Sequence, residues 1–222
     1  MMKAPGKATI TQEDYLKTIW ELSQEGGSSS GSKIAAELGV TPPAVSLALR
    51  RLAKEGFLKL GREGKISLSA KGRQTAEDLI IRHRLIEKLL AEVLGMEWYK
   101  VHEEAEKLEH AVSPEMEARL FKLFGRNGTC PHGNPLGRAA FRKIENAVLL
   151  FEAPAGLEAN IVRIYEKDRT FLKYLDSLGI TPQGNLAVLE KMPDDTLKLK
   201  IGGRAVILGK KASIRIWVEP RK

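Results

Sequence analysis

Three of the four histidines in this 222-residue chain, His83, His102 and His110, stand among a concentration of carboxylates, Glu87, Glu103, Glu104, Glu106 and Glu109. Positions 102, 106, 109 and 110 are spaced i, i+4, i+7 and i+8, so on a helix their side chains share one face. His83 and Glu87 form a second i, i+4 pair upstream. Neutral imidazole offers a directional nitrogen and carboxylates offset an ion's charge, so these groups together suit a divalent cation. By spacing alone, a solvated acidic helix face with incidental histidines explains the pattern equally well. Cys130 and His132 share a loop rich in Gly and Pro, and two residues there are too few to specify a metal or redox centre.

The elements that must carry these residues follow from apolar periodicity. Thr11 reads as an N-cap with Gln12, Glu13 and Asp14 in the first turn, and Tyr15, Ile19, Trp20 and Leu22 give a stripe at helical spacing, predicting a helix to about Gly26. Asp14, three residues after Thr11, then also fits a capping acid. Ile34, Ala35, Leu38 and Val40 give a short second helix broken at Gly39. Thr41, Pro42 and Pro43 open a third, with Val45, Leu49 and Leu52 inward, to about Glu55. Residues 57–68 alternate around a Gly-bounded turn and read as a hairpin. Two helices, a turn, a third helix and a two-stranded wing make a winged helix-turn-helix.

A long helical pattern runs from Ser69 to Gly95, another from about Tyr99 to Val112, and Ser113 with Pro114 opens a third holding Met116, Leu120 and Phe124. Residues 125–137 read as a loop. Beyond 147 the period changes to short β-type runs at 161–164, 186–189, 196–199, 205–208 and 213–217, interrupted by one helix from about Thr170 to Leu178. The expected fold is therefore multidomain, mainly α with a β-barrel. It comprises a winged helix-turn-helix at 1–73, a helical domain at 74–137, a linker at 138–146 and an SH3-like barrel at 147–222.

In a winged helix the third helix enters the DNA major groove and the wing holds phosphates. Thr41, Pro42, Pro43, Ser46, Arg50 and Arg51 lie on or beside that helix, and Arg62 and Lys65 belong to the wing. With Pro42, Pro43, Ala44 and Leu47 at the front, thymine-methyl contact and DNA shape should carry much of the specificity. A net charge of +8 and a pI near 9.5 favour a polyanionic partner. A winged helix that only contacts protein is the alternative. The single cysteine excludes a disulfide framework and a Cys-rich zinc ribbon, and fits a reducing compartment. The start lacks an apolar signal region and the apolar runs are too short to span a bilayer, so a cytoplasmic protein without membrane attachment is expected.

The strings KVHEEAEKLEH at 100–110 and RHRLIE at 82–87 closely resemble the second domain of the diphtheria-toxin-repressor family of metal-dependent regulators. DYLKTIWEL at 14–22 and the winged helix resemble that family's first domain, and CPHGNP at 130–135 echoes its loop. The likeness runs through residues 8–137 in one order with matching spacing. Residues from about 147 resemble, more loosely, the SH3-like domain of longer members and of small ferrous-iron transport accessory proteins. The resemblance implies a dimer on a palindromic operator in double-stranded DNA, with a metal ion as co-repressor. It implies one metal site from Asp14, Glu106, Glu109 and His110, and a neighbouring one from His83, Glu87 and His102.

The iron-sensing branch carries a methionine where this chain has Asp14 and a cysteine where it has Glu106. Carboxylates at both resemble the manganese-sensing branch, which implies Mn(II) first and Fe(II) second. Lys17 departs from that branch, where a glutamate ligand stands. Lys167 and Thr170 replace a Glu and a Gln with which iron sensors complete their second site, so the third domain is not expected to ligate metal. Leu89, Leu90 and Val93 with Leu120 and Phe124 are the expected dimer contacts. Two rivals remain at this point: a winged-helix regulator sensing a non-metal ligand, and a metalloenzyme, for which no nucleophile or general base is evident outside the ligand set.

Overall fold

In a computed structural model, which describes residues 8–24, 30–61, 65–138 and 147–221, the chain divides into two units, 1–82 and 83–222. The first helix, α1 (Ile10–Gln24), is capped earlier than Thr11. Thr9 donates its backbone N–H to Gln12 Oε1 at 2.9 Å, and the Gln12 N–H reaches Thr9 Oγ1 at 3.4 Å. This reciprocal pair satisfies two helix-end donors, and it puts Thr9 at the N-cap and Gln12 at N3. Asp14 lies beyond that first turn, so capping does not explain it.

α2 (Gly31–Leu38) is capped by Ser30, whose side chain accepts from the Lys33 N–H, and ends at Gly39 in the left-handed region with φ of 63°. α3 (Pro42–Lys54) starts at Thr41, with proline where no backbone donor is needed. Leu16, Ile19, Trp20, Ile34, Val45, Leu52 and Phe57 are buried as the core of the first unit. The wing is the antiparallel pair β1 (Leu58–Leu60) and β2 (Ile66–Leu68), in the register Leu58 to Leu68 and Leu60 to Ile66.

α4 (Ala70–Lys88) carries the chain into the second unit and continues as a π turn, Leu89–Val93, that stops at Gly95. The expected single helix at 99–112 is instead α5 (Val101–Leu108) tightening into a 3-10 turn, Glu109–Ala111. That change in winding takes Glu109 and His110 off the α-helical face shared by His102 and Glu106. α6 (Pro114–Phe124) follows, with the Ser113 side chain accepting from the Met116 N–H at 3.1 Å. Leu90 and Leu120 are buried, and the exposed apolar side chains of this helical part are Val93, Leu94, Leu108, Met116 and Leu123.

The strands β3 (Val148–Leu149), β4 (Glu158–Ile164), β5 (Asn185–Lys191), β6 (Leu197–Ile201), β7 (Arg204–Leu208) and β8 (Ile216–Pro220) form one sheet in the order β3-β8-β4-β5-β6-β7. Every pairing is antiparallel. β3 and β7 stand at its edges, so the expected barrel is observed as a six-stranded sheet with no closing pair among the described residues. Ile161, Ile164, Val188, Leu197, Leu199, Ile216 and Val218 bury one face against Leu172 and Leu175 of α7 (Arg169–Ser177). The run at 213–217 was expected to be a strand. Its first residue instead ends a short helix, α8 (Lys210–Ser213), where the buried Ser213 hydroxyl donates to the Gly209 and Lys210 carbonyls. No helix among the described residues is long and apolar enough to cross a membrane.

Candidate metal centre

Glu87 is completely buried one turn beyond His83 on α4, and its Oε1 is approached by three imidazoles. His83 Nε2 lies at 3.0 Å, His102 Nδ1 of α5 at 3.1 Å and His132 Nδ1 at 3.2 Å. His83 Nε2 and His102 Nδ1 are themselves 2.9 Å apart. Glu87 Oε2 has no hydrogen-bond partner among the described residues although it is buried. A buried carboxylate oxygen left without a partner is destabilising by about 1–3 kcal/mol or more, so this arrangement suits a cation.

The outer ring nitrogens fix which atoms face inward. His83 Nδ1 is 2.5 Å from a Glu109 carboxylate oxygen, and His132 Nε2 is 3.0 Å from the Trp98 carbonyl. Both oxygens can only accept, so each of these nitrogens donates its proton. His83 Nε2 and His132 Nδ1 therefore face Glu87, and each gives it a proton when its ring is charged and offers a lone pair to a cation when its ring is neutral.

The loop that delivers His132 is bound to the sheet. Cys130 N–H donates to the Asn134 carbonyl at 2.7 Å, Gly133 N–H returns to the Cys130 carbonyl at 2.9 Å, and Ile164 N–H of β4 donates to the His132 carbonyl at 3.0 Å. Gly133 has φ of +90°, and a Cβ there would lie 1.9 Å from the Val162 carbonyl oxygen. Only glycine permits so close an approach of loop to strand. Beyond β4, Glu166 accepts from the Asn134 side chain and stands 3.7 Å from His132 Nδ1.

Two donor groups result, His83 with Glu87 and His102, and Glu87 with Cys130, His132 and Glu166. Within each, one donor atom per residue lies within 4.8 Å of all the others. Burial pushes the Glu87 carboxyl up, but the charges of His132 and His83 and hydrogen bonds from His102 and His132 outweigh it and hold it well below the usual carboxylate range. Burial, then the Glu87 and Glu166 charges, push the Cys130 thiol well above its usual value. His132 is raised, because Glu87 and Glu166 overcome the opposing effect of burial.

Of the residues singled out in the sequence, His83, Glu87 and His102 therefore come together. Glu109 is buried and orients His83, with its other oxygen 3.8 Å from His110 Nε2. Glu106 is about half exposed, its Oε1 3.6 Å from His102 Nε2. Asp14 lies half-buried on α1 of the first unit, and Lys17, one turn further, is buried. Cys130, His132 and Glu166 were missed as a set. The Cys-x-His spacing was visible, but Glu87 lies far away in sequence, and Glu166, next to Lys167, brings a carboxylate to the cluster from a third domain that was not expected to supply one.

At the candidate DNA-reading surface, Thr41, Pro42, Pro43, Ser46, Arg50 and Arg51 are exposed on or beside α3, and Leu47 is 72% exposed. Lys65 is exposed at the wing, and Arg62 lies outside the described residues.

Comparison with known proteins gives three family matches. Residues 7–64 match the iron dependent repressor N-terminal DNA binding domain, 69–136 the iron dependent repressor metal binding and dimerisation domain, and 148–220 the FeoA domain. The chain is 32% identical over 206 residues to the iron-dependent repressor IdeR of Mycobacterium bovis, covering 87% of this chain and 89% of that protein. A manganese-dependent transcriptional repressor solved in complex with manganese superposes with a TM-score of 0.85 at 34% identity, covering 95% of this chain and 100% of that one. The structure of ScaR with bound Zn2+ superposes with a TM-score of 0.80 at 29% identity, covering 95% and 99%.

Proposed function

Because the chain belongs to the iron-dependent repressor family, we propose that it is a metal-dependent transcriptional repressor controlling metal-ion homeostasis, active as a dimer on palindromic double-stranded operator DNA. The observation that carries this reading is the buried convergence of His83, His102 and His132 on Glu87, a carboxylate with one oxygen left for a cation. Its relatives are repressors rather than enzymes.

We assign one metal-binding set to Asp14, Glu106, Glu109 and His110, a ligand set that rests on the resemblance. A second comprises His83, Glu87 and His102, extended by Cys130, His132 and Glu166. The first set contains only oxygen and nitrogen donors, which supports Mn(II) as the activating ion, with Fe(II) second. α3 reads the major groove through Thr41, Pro42, Pro43, Ser46, Arg50 and Arg51, and Arg62 and Lys65 of the wing hold phosphates. Two-fold pairing through the helical domain, 74–137, would set the half-site spacing. The third domain, 147–222, is read as SH3-like, joined by the linker at 138–146. A DNA-bound regulator of this kind works in the cytoplasm.

Operator binding followed by fluorescence anisotropy with Mn(II), Fe(II), Co(II) or Zn(II), against a chelator reference, tests the reading. Stimulation by Mn(II) or Fe(II), abolished in Glu106→Ala, is the expected result. Chelator-insensitive binding would instead favour a sensor of a non-metal ligand, and a response to Zn(II) alone would overturn the manganese assignment. Coupling is reciprocal, so operator should tighten metal binding by the factor that metal tightens operator binding.

A further inference from the structure

Within the first unit, Arg51 of the DNA-reading surface is tied to an acid. Its Nε donates to Glu55 Oε1 at 2.9 Å, at the C-cap of α3, while its terminal nitrogens have no partner among the described residues. By itself an exposed i, i+4 ion pair holds two long side chains only weakly. Here the acid is held as well. Glu55 Oε2 accepts from Gln12 Nε2 of α1 at 2.5 Å, across 43 residues of sequence, and the Glu55 carbonyl accepts from Lys71 Nζ at 3.2 Å.

The buried Gln12 amide has a single orientation. Its Oε1 accepts the Thr9 N–H, and its Nε2 meets a carboxylate oxygen that can only accept. The hydrogen bond from Arg51, followed by that from Gln12, holds the Glu55 carboxyl below its usual value and so keeps it ionised. Two long-range effects oppose an anion at this position. The C-terminal end of a helix carries partial negative charge, and an acid beside a DNA-reading helix repels phosphates. What favours Glu55 is therefore its hydrogen bonds. An arginine bound through Nε keeps its planar fork in one orientation and leaves its terminal N–H groups for a phosphate or a guanine. Freedom that the side chain would otherwise lose on meeting DNA is then already restricted in the unbound protein.

We propose that Gln12 and Glu55 are positioning residues for operator binding. Gln12 fixes the Glu55 carboxylate from α1, and Glu55 fixes Arg51 for its contact with DNA. The proposal rests on the reading of α3 as the DNA-reading helix, and its test separates the two.

Operator binding by the full chain is measured by fluorescence anisotropy at one salt concentration and saturating Mn(II), with saturation checked for each variant. Gln12→Glu retains the Thr9 cap, since either residue serves at N3, but sets two carboxylates against each other. It should weaken operator binding about tenfold, through the arginine freedom it restores. With Arg51→Ala already present, the same change should weaken binding by no more than about twofold. Combining Gln12→Glu with Glu55→Gln again sets a donor against an acceptor at the original net charge, and should return affinity to within about threefold. Glu55→Ala, which leaves the cap untouched, should weaken binding although it removes a negative charge. Equal losses from Gln12→Glu with and without Arg51, no recovery in the exchanged pair, or tighter binding by Glu55→Ala would each overturn the positioning roles while leaving the DNA-reading helix in place. Operator affinity unchanged by Arg51→Ala alone would overturn the assignment of Arg51 to DNA, and the positioning roles with it.

Discussion

Gly133→Ala should separate the Cys130 loop from β4, and Gly156→Ala is its internal control. Both glycines have positive φ, +90° and +85°, so both alanines incur the left-handed backbone penalty of about 1–2 kcal/mol. They differ in surroundings. A Cβ at 156 meets nothing within 4 Å, whereas one at 133 would lie 1.9 Å from the Val162 carbonyl oxygen and 2.9 Å from Arg163 Cα.

Backbone on both sides leaves no flexible side chain to yield, so the loop itself must lift away. That breaks the 3.0 Å bond from Ile164 N–H to the His132 carbonyl, at a strand residue that is fully buried. An unsatisfied buried N–H adds about 1–3 kcal/mol. The total for Gly133→Ala is therefore about 2–5 kcal/mol, against about 1–2 for Gly156→Ala. Because His132 lies on the lifted loop and Glu166 follows the strand it leaves, Mn(II) affinity should fall at least about tenfold, which corresponds to about 1.4 kcal/mol. Urea unfolding and Mn(II) titration of the two variants are the assays. Equal stability losses, or an unchanged Mn(II) affinity in Gly133→Ala, would refute the reasoning.

Replacing operator thymines with deoxyuridine should weaken binding about fourfold for each methyl packed on the exposed face of α3, using about 0.8 kcal/mol per buried carbon; Leu47→Ala should erase part of that discrimination, measured by anisotropy. Raising pH between about 6 and 8 should tighten Mn(II) binding, because the elevated Cys130 thiol and His132 must release protons to ligate, each worth up to about tenfold per pH unit; a calorimetric titration in buffers of different ionisation enthalpy would count them. In the chelator-treated protein the raised His132 contributes stability below its usual imidazole value that is lost as pH rises through the raised one, so melting should occur earlier on the alkaline side. Ser113→Ala should lose about 1 kcal/mol of the α6 cap, with Ser113→Asp retaining most of it, by urea unfolding.

The first unit was legible because its signals are local. Gly39 at the end of α2, the prolines at the start of α3 and the alternating wing all act through neighbours in sequence. Even there, Thr9 rather than Thr11 caps α1, since two candidate caps two residues apart give nearly the same pattern. Local periodicity failed at 99–112, where an amphipathic stripe continues through a change from α to 3-10 winding. It also placed the start of the last strand too early, at 213, where Ser213 takes backbone carbonyls and the strand begins only at Ile216.

The metal centre divides in the same way. His83 and Glu87 are one turn apart on one helix, so their pairing was visible in spacing, whereas His102 joined them only through the family resemblance. Cys130, His132 and Glu166 reach Glu87 only because β4 grips the loop at Gly133 and extends to Glu166 just beyond it. Residue types and short spacings therefore determined which groups were available to bind a cation. Long-range hydrogen bonding and burial decided that Glu87 is their common point, because a buried carboxylate must be met by whatever donors the fold brings to it.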